Sequence, residues 1–323
     1  MFNIRYMHRS FLSFSSRLQR LSAEGTLRAK ASVRITSYLL HIPFVVPCCE
    51  ILLFYLLDRR ISRRCTSVDY TQVLSIYRRN TLVLQLYCLL CQSALPSSLL
   101  LYHNTSSVRR PWLPWWQTSI RYTHNVNWNA KYHGRFYASL VVKSDYYVLW
   151  DDDIGPARFW NERSLVYASA NHSIVTANGR KLIPDSLHAI LGKCNPSHYP
   201  PYEDSLGDGF PVMSDTTVDY GGHSWAFSRQ TLIDMASMDP PSLSNSEDFH
   251  LSAAAFLRSG TNTVVLSQDF GNTDHYPDLF VNYYSVDSCA SHMVAPREFL
   301  LERALIIADW IDSRGYVPVA SRG

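Results

Sequence analysis

The sequence predicts an α/β fold: a mostly parallel central sheet flanked by helices, preceded by an N-terminal extension. Three observations carry this. From Val68 onward, short apolar runs of strand character alternate with longer segments of helical apolar spacing, the signature of repeated β-α-β units. One run, Tyr146-Tyr147-Val148-Leu149-Trp150, ends abruptly in three carboxylates, Asp151, Asp152 and Asp153. The first 67 residues differ from the rest, with a net charge of +8 against −5 for the remainder.

Along the chain, Val73 to Tyr77 reads as a strand, Thr81 to Gln92 as a helix and Ser98 to Tyr102 as a second strand. Trp112, Trp115 and Trp116 with Pro111 and Pro114 make an irregular segment. Ile120 to Val126 is a third strand, Tyr132 to Val142 a helix, and the run into Asp151 a fourth strand. Phe159 to Ala170 reads as a helix, and residues 192–216, rich in Pro, Tyr, Gly and Asp, as a loop over a site. Ser246-Glu247-Asp248-Phe249-His250 opens a helix that continues from Leu251 to Arg258, with Asn245 or Ser246 as its cap. Arg297 to Ile311 is the clearest helix of the last third.

The acids after the fourth strand carry the chemistry. Unpaired carboxylates cannot stay in a dry core, so they mark the strand's exit into a cleft. Alternation along a strand puts Asp151 and Asp153 on one face and Asp152 on the other. Two carboxylates at the carboxyl end of a strand sit where open α/β sheets bind ligands. Oxygen-only donors suit hard divalent ions such as Mn²⁺ or Mg²⁺. The ordinary alternative is a polar turn or acids gathered at a helix start.

Composition excludes some classes. A body of net charge −5 lacks the basic face that nucleic acid needs. There is no Gly-rich phosphate loop and no dinucleotide fingerprint. Cys88 and Cys91 enclose apolar residues and have no second pair, which reads as a buried helix face rather than a zinc or redox site. Within the extension, residues 35–57 form an apolar run long enough for a bilayer span, interrupted by Pro43, Pro47 and Glu50. A signal-anchor with a basic cytoplasmic flank, an organellar transit peptide and a disordered extension with a peripheral amphipathic helix all fit this region. The sequons at Asn104 and Asn171 add weak support for a luminal location.

Together these motifs resemble a GT-A-type (Rossmann-like) glycosyltransferase, most like the exostosin-like domain of glycosyltransferase family 64, over residues 68–319. The resemblance rests on Tyr77-Arg78-Arg79-Asn80 with Leu84-Gln85-Leu86, Tyr102-His103-Asn104, the D-x-D cluster Asp151-Asp152-Asp153, Gly179-Arg180, Val218-Asp219-Tyr220-Gly221-Gly222-His223-Ser224-Trp225, and Glu247-Asp248. It implies a retaining transfer from a nucleotide-diphosphate sugar to a glycan, lipid or protein hydroxyl, at a Golgi or endoplasmic-reticulum membrane. It implies Asp153 as the firmest metal ligand with Asp151 and, as a late contact, His275. Arg78, Arg79, Asn104, Asp151, Asp152 and Arg180 would face the donor. Asp219, His223 and Trp225 would face the acceptor, and Glu247 or Asp248 would position the acceptor hydroxyl or act as base.

Two rivals remain. Gly222-His223-Ser224-Trp225-Ala226 matches the outline of a hydrolase nucleophile elbow, with Asp274 and His292 able to complete a triad and His133-Gly134 an oxyanion element. Alternatively the chain is a non-catalytic, transferase-like binding protein.

Overall fold

The computed structural model describes residues 45–61, 68–77, 81–104, 110–111, 113, 119–125, 130–183, 187, 203–206, 212–268, 272–277 and 296–322. The chain divides into two units, residues 1–52 and 53–323. Of the first, only the opening of helix α1 (Val45–Ile61) is described. Among the described residues no helix is long and apolar enough to cross a membrane. The span expected at 35–57 thus lies partly outside the described residues, and its described part gives it no support.

The second unit is the expected α/β body. Its elements run β1 (Tyr70–Ile76), α2 (Leu82–Cys91), β2 (Ser98–His103), β3 (Ile120–His124), α3 (Gly134–Ser139), β4 (Tyr146–Trp150), α4 (Trp160–Asn171) and β5 (Ile174–Leu182). They continue with β6 (Glu203–Leu206), β7 (Thr216–Val218), β8 (Tyr220–Ser228), α5 (Arg229–Ala236), α6 (Glu247–Ser259), β9 (Thr263–Val265) and α7 (Pro296–Asp312). The strands form one sheet in the order β3-β2-β1-β4-β8-β5-β9-β7, with β6 beside β5. β3, β2, β1 and β4 are mutually parallel, and β9 is parallel to β5. β8 is antiparallel to both β4 and β5, so it turns against the common direction, as do β6 and β7. The mostly parallel, helix-flanked sheet predicted from the sequence is the architecture found.

Every residue of β1 is buried, as a central strand covered on both faces requires. On one face, Val73, Leu100, Tyr147, Leu149, Trp225 and Phe227 pack with Phe136 of α3, Leu232 and Met235 of α5, and Leu251 and Ala255 of α6. On the other, Gln72 accepts a hydrogen bond from Asn161 of α4 at 2.9 Å. A second core joins Phe249, Ala253 and Ala254 of α6 to Ala304, Ile307 and Trp310 of α7. The parallel register sets the ends of the strands along one edge, with Ile76 opposite His103 and Leu74 opposite Trp150. Asp151 follows directly.

The sequence pattern predicts most of these elements but not the strands β5, β7 and β9 or the helix α5, and β6 lies inside the segment 192–216 expected as a loop. The rest of that loop falls mostly outside the described residues.

Candidate functional site

The acid loop is fastened by its backbone. The Asp151 N–H donates to the His223 carbonyl of β8 at 2.9 Å. The Thr81 hydroxyl donates to the Asp152 carbonyl, and the Gln85 side-chain amide to the carbonyls of Asp151 and, at 3.1 Å, Ile154. The start of α2 therefore pins the loop, leaving the three carboxylates half-buried at the sheet edge.

Arg135 enters this edge from α3. Helix α3 comes close to β2 because residue 134 is glycine; a Cβ there would collide with the Tyr102 hydroxyl and with Ala130. The Arg135 guanidinium pairs with the Asp151 carboxylate through Nη1 and donates from Nη2 to Glu247 Oε1 at 2.8 Å. It lies 5.0 Å from the Trp225 ring centre and 5.4 Å from that of Phe136. Burial opposes its charge, but Asp151 and Glu247 more than offset that, so it stays cationic.

Glu247 and Asp248 open α6. Both Asp248 carboxylate oxygens accept from Arg303 of α7, and Oδ1 also accepts from the Phe249 N–H at 2.8 Å. Arg303 stacks over Tyr220 at 5.0 Å. Burial first, then the charge of Asp248, pushes the Glu247 carboxyl up to about 7, while Arg135 and Arg303 hold it from rising further. A buried acid poised near neutrality is what general acid–base chemistry needs. Two backbone outliers flank the group. His223 and Ser246 take left-handed conformations, with φ of 67° and 61°, and the Ser246 side chain makes no capping bond. Behind α6, His133 Nε2 meets His250 Nδ1 at 3.3 Å. Burial drives these imidazoles down to about 4 and about 3, so both are neutral at pH 7.

The other expected site residues divide. Asn104 is buried, its amide donating to the Lys131 carbonyl at 3.3 Å and accepting from the Tyr102 hydroxyl, so it anchors the approach to α3. Arg180 is half-buried on β5, and its guanidinium donates to the Gly179 carbonyl at 3.1 Å. Trp225 is buried; its indole N–H donates to the Gly221 carbonyl at 2.9 Å, and its ring supports Arg135 rather than facing open space. Asp219 is also buried, and its carboxylate accepts from the Leu182 N–H and the Val319 N–H at 2.7 Å each and from the Tyr316 hydroxyl at 2.9 Å. His275 sits in a short 3-10 turn, Thr273–His275, whose neighbours pair with the segment after the acid loop: the Phe159 N–H donates to the Asp274 carbonyl and the Ala157 N–H to that of Tyr276. Arg78, Arg79 and His292 lie outside the described residues.

Asp151, Glu247 and Asp248 are thus brought together with the His223 backbone and Trp225, and Arg135 joins them. Sequence reasoning missed Arg135, Arg303 and Thr81, and had Gln85 only as a member of the Leu84-Gln85-Leu86 motif, with no role. Arg135 had one local signal, a lone charge inside an otherwise apolar helix.

For a divalent ion, the acid loop offers hard oxygen donors only. Among the described residues no group of three or more His, Cys, Asp or Glu side chains is arranged to hold a metal ion by itself. Mg²⁺ is usually held by one or two carboxylates with substrate phosphates and water, so these residues fit an ion completed by its ligand, not an all-protein cage. The hydrolase outline fails here. Ser224 is buried in the middle of β8, accepts from Trp160 Nε1 at 2.9 Å and lies opposite Trp150, not on a turn from strand into helix.

No family model and no curated protein matches the chain. Among solved structures it is similar to residues 1–349 of S. aureus TarS, with a TM-score of 0.41 and 12% identity over 62% of this chain. The match spans 58% of that chain, less than two thirds of its length. The likeness is a partial one, and nothing about activity follows from it.

Proposed function

We propose that the chain is a glycosyltransferase that moves a sugar from a nucleotide-diphosphate donor to a hydroxyl of a glycan, lipid or protein. The observation that carries this reading is the meeting of two acid groups at the carboxyl-terminal edge of the sheet. The Asp151–Asp153 loop faces the donor, and the Glu247–Asp248 pair, with one carboxyl near neutrality, faces the acceptor.

In this reading the acceptor hydroxyl gives its proton to the Glu247 carboxylate, with Asp248 beside it. Its oxygen forms a bond to the anomeric carbon as the bond to the diphosphate breaks. The Asp151 and Asp152 carboxylates accept hydrogen bonds from the hydroxyls of the donor. Asp153 and Asp151 would hold Mn²⁺ or Mg²⁺, which when bound supplies charge neutralisation for the leaving diphosphate. A base beside the acceptor serves single displacement with inversion, so the retention implied by the exostosin-like resemblance is not adopted. The comparisons give no support to that narrower family. A membrane or Golgi location is proposed from the basic extension alone.

The test is thermal melting of the full chain with UDP, GDP and CDP, with and without Mn²⁺. A ligand that binds only the native state raises the melting temperature. A metal-dependent rise with one diphosphate is expected. No shift with any of them would remove the donor site and the proposal with it.

A further inference from the structure

We propose that Arg135 is a positioning residue that sets the donor-side and acceptor-side acids in register, one guanidinium fixing Asp151 of the acid loop relative to Glu247 at the start of α6. The inference rests on the glycosyltransferase reading above. The two acids belong to separate elements, and the guanidinium reaches both from a third, with Nη1 on Asp151 and Nη2 on Glu247 at 2.8 Å. Its Cζ lies 5.0 Å from the Trp225 ring centre and 5.4 Å from that of Phe136, so it cannot swing away without losing both aromatic contacts. The helix that carries it is seated against β2 through Gly134, and the chain before that helix is tied to β2 by the Asn104 amide.

Neutralising two acids needs only positive charge, which lysine supplies. Spanning them in a fixed direction needs the planar fork of arginine, because an ammonium is a single point charge. Transfer brings the attacking oxygen and the anomeric carbon to within about 3–3.5 Å, and a misplacement of about 1 Å costs on the order of 10²-fold. Base and donor site stand on different elements, so the contact that fixes their separation sets that geometry. Asp152 and Arg303 complete the charges around the pair and leave this bridge to Arg135.

The experiment compares the full chain with Arg135→Gln and Arg135→Lys. It measures Mn²⁺-dependent hydrolysis of UDP-glucose, UDP-N-acetylglucosamine and GDP-mannose, with kcat and KM separated, and melting shifts with UDP, GDP and CDP. Arg135→Gln is expected to lower kcat on the order of 10²-fold while donor KM and the diphosphate shift stay within about threefold. Arg135→Lys is expected to recover less than about a tenth of the lost kcat. If Arg135→Gln keeps kcat within about threefold, or Arg135→Lys restores it fully, Arg135 is a buried counter-charge only; the inference falls while the transferase reading stands. If Arg135→Gln does not fold, Arg135→Lys decides alone by the same criterion. If the wild-type chain neither hydrolyses any donor nor melts higher with UDP, GDP or CDP, the transferase reading falls and takes the inference with it.

Discussion

Two buried acid sites in this molecule have opposite designs. At Asp219, both carboxylate oxygens are taken by short, neutral, fixed donors: two backbone N–H groups and the Tyr316 hydroxyl. At Glu247 and Asp248, the acids are held by arginine side chains that come from other elements and are shared with further groups. Burial raises the pKa of Asp219 and of Glu247 alike. A raised acid is therefore not the mark of function here. What separates the sites is whether the partners are neutral groups built into the fold or side-chain cations at a sheet edge, which can be exchanged for a ligand.

The sharpest break of this comparison is Glu247→Gln. The amide keeps the shape but takes no proton. If the acid pair is the base, turnover of the donor found by melting falls on the order of 10³-fold with folding intact, since a positioned base contributes about 10²–10⁴-fold. Unchanged turnover would make this pair as structural as Asp219. Next in size is Asp219→Ala, which strands Leu182 N–H and Val319 N–H, while the Tyr316 hydroxyl keeps the Asp219 backbone carbonyl at 3.2 Å. At about 1–2 kcal/mol for each stranded buried N–H, denaturant melts should show a loss of about 3 kcal/mol, with the diphosphate melting shift retained. Loss of that shift in a folded variant would tie Asp219 to the donor site and end its role as the structural member of the comparison.

The pH dependence comes third, and its sign differs between the regions around α6. Folding raises the Glu247 carboxyl from 4.5 to about 7. The folded chain keeps a proton that the unfolded chain has lost, so this stabilisation is full below pH 4.5 and lost as pH rises through about 7. His133 and His250 fall from 6.5 to about 4 and about 3. Their contribution is full above pH 6.5 and lost as pH falls toward those values. Glu247→Gln should therefore gain on the wild type by about 3 kcal/mol between pH 4.5 and 7.5. His250→Phe should lose less than the wild type as pH falls from 6.5 to 4. Parallel melting curves across pH for all three chains would show that neither burial shift exists.

How far this was legible follows from which signals are local. The parallel half of the sheet could be read from β2 and β4, which are nearly continuous apolar runs, and the acid loop because three carboxylates cannot follow such a run into a core. β5 could not, since Asn178-Gly179-Arg180-Lys181 gives it a polar second half. The site's acids were found singly, but their connection was not. Arg135 and Glu247 are 112 residues apart, and no local period encodes that pairing. Asp219 misled for the same reason: in sequence it stands beside glycines and a histidine, while the Tyr316 that fixes it lies 97 residues away.

The smallest expected effect tests whether the acid pair is under strain. Ser246 precedes Glu247 with φ 61° and ψ 31°, and its side chain makes no cap bond to repay that conformation. A non-glycine residue in the left-handed region loses about 1–2 kcal/mol, whereas glycine's extra freedom in the unfolded chain costs about 0.5–1 kcal/mol. Ser246→Gly should therefore stabilise the chain by about 0.5 kcal/mol in denaturant melts. The turnover of that variant carries the meaning. Strain retained at a working site is held there by its surroundings because it sets geometry, so a more stable chain with slower turnover would tie Ser246 to the placement of Glu247 and Asp248. A more stable chain with unchanged turnover would make the left-handed residue a feature of the fold, and would set the start of α6 beside Asp219 in the comparison rather than against it.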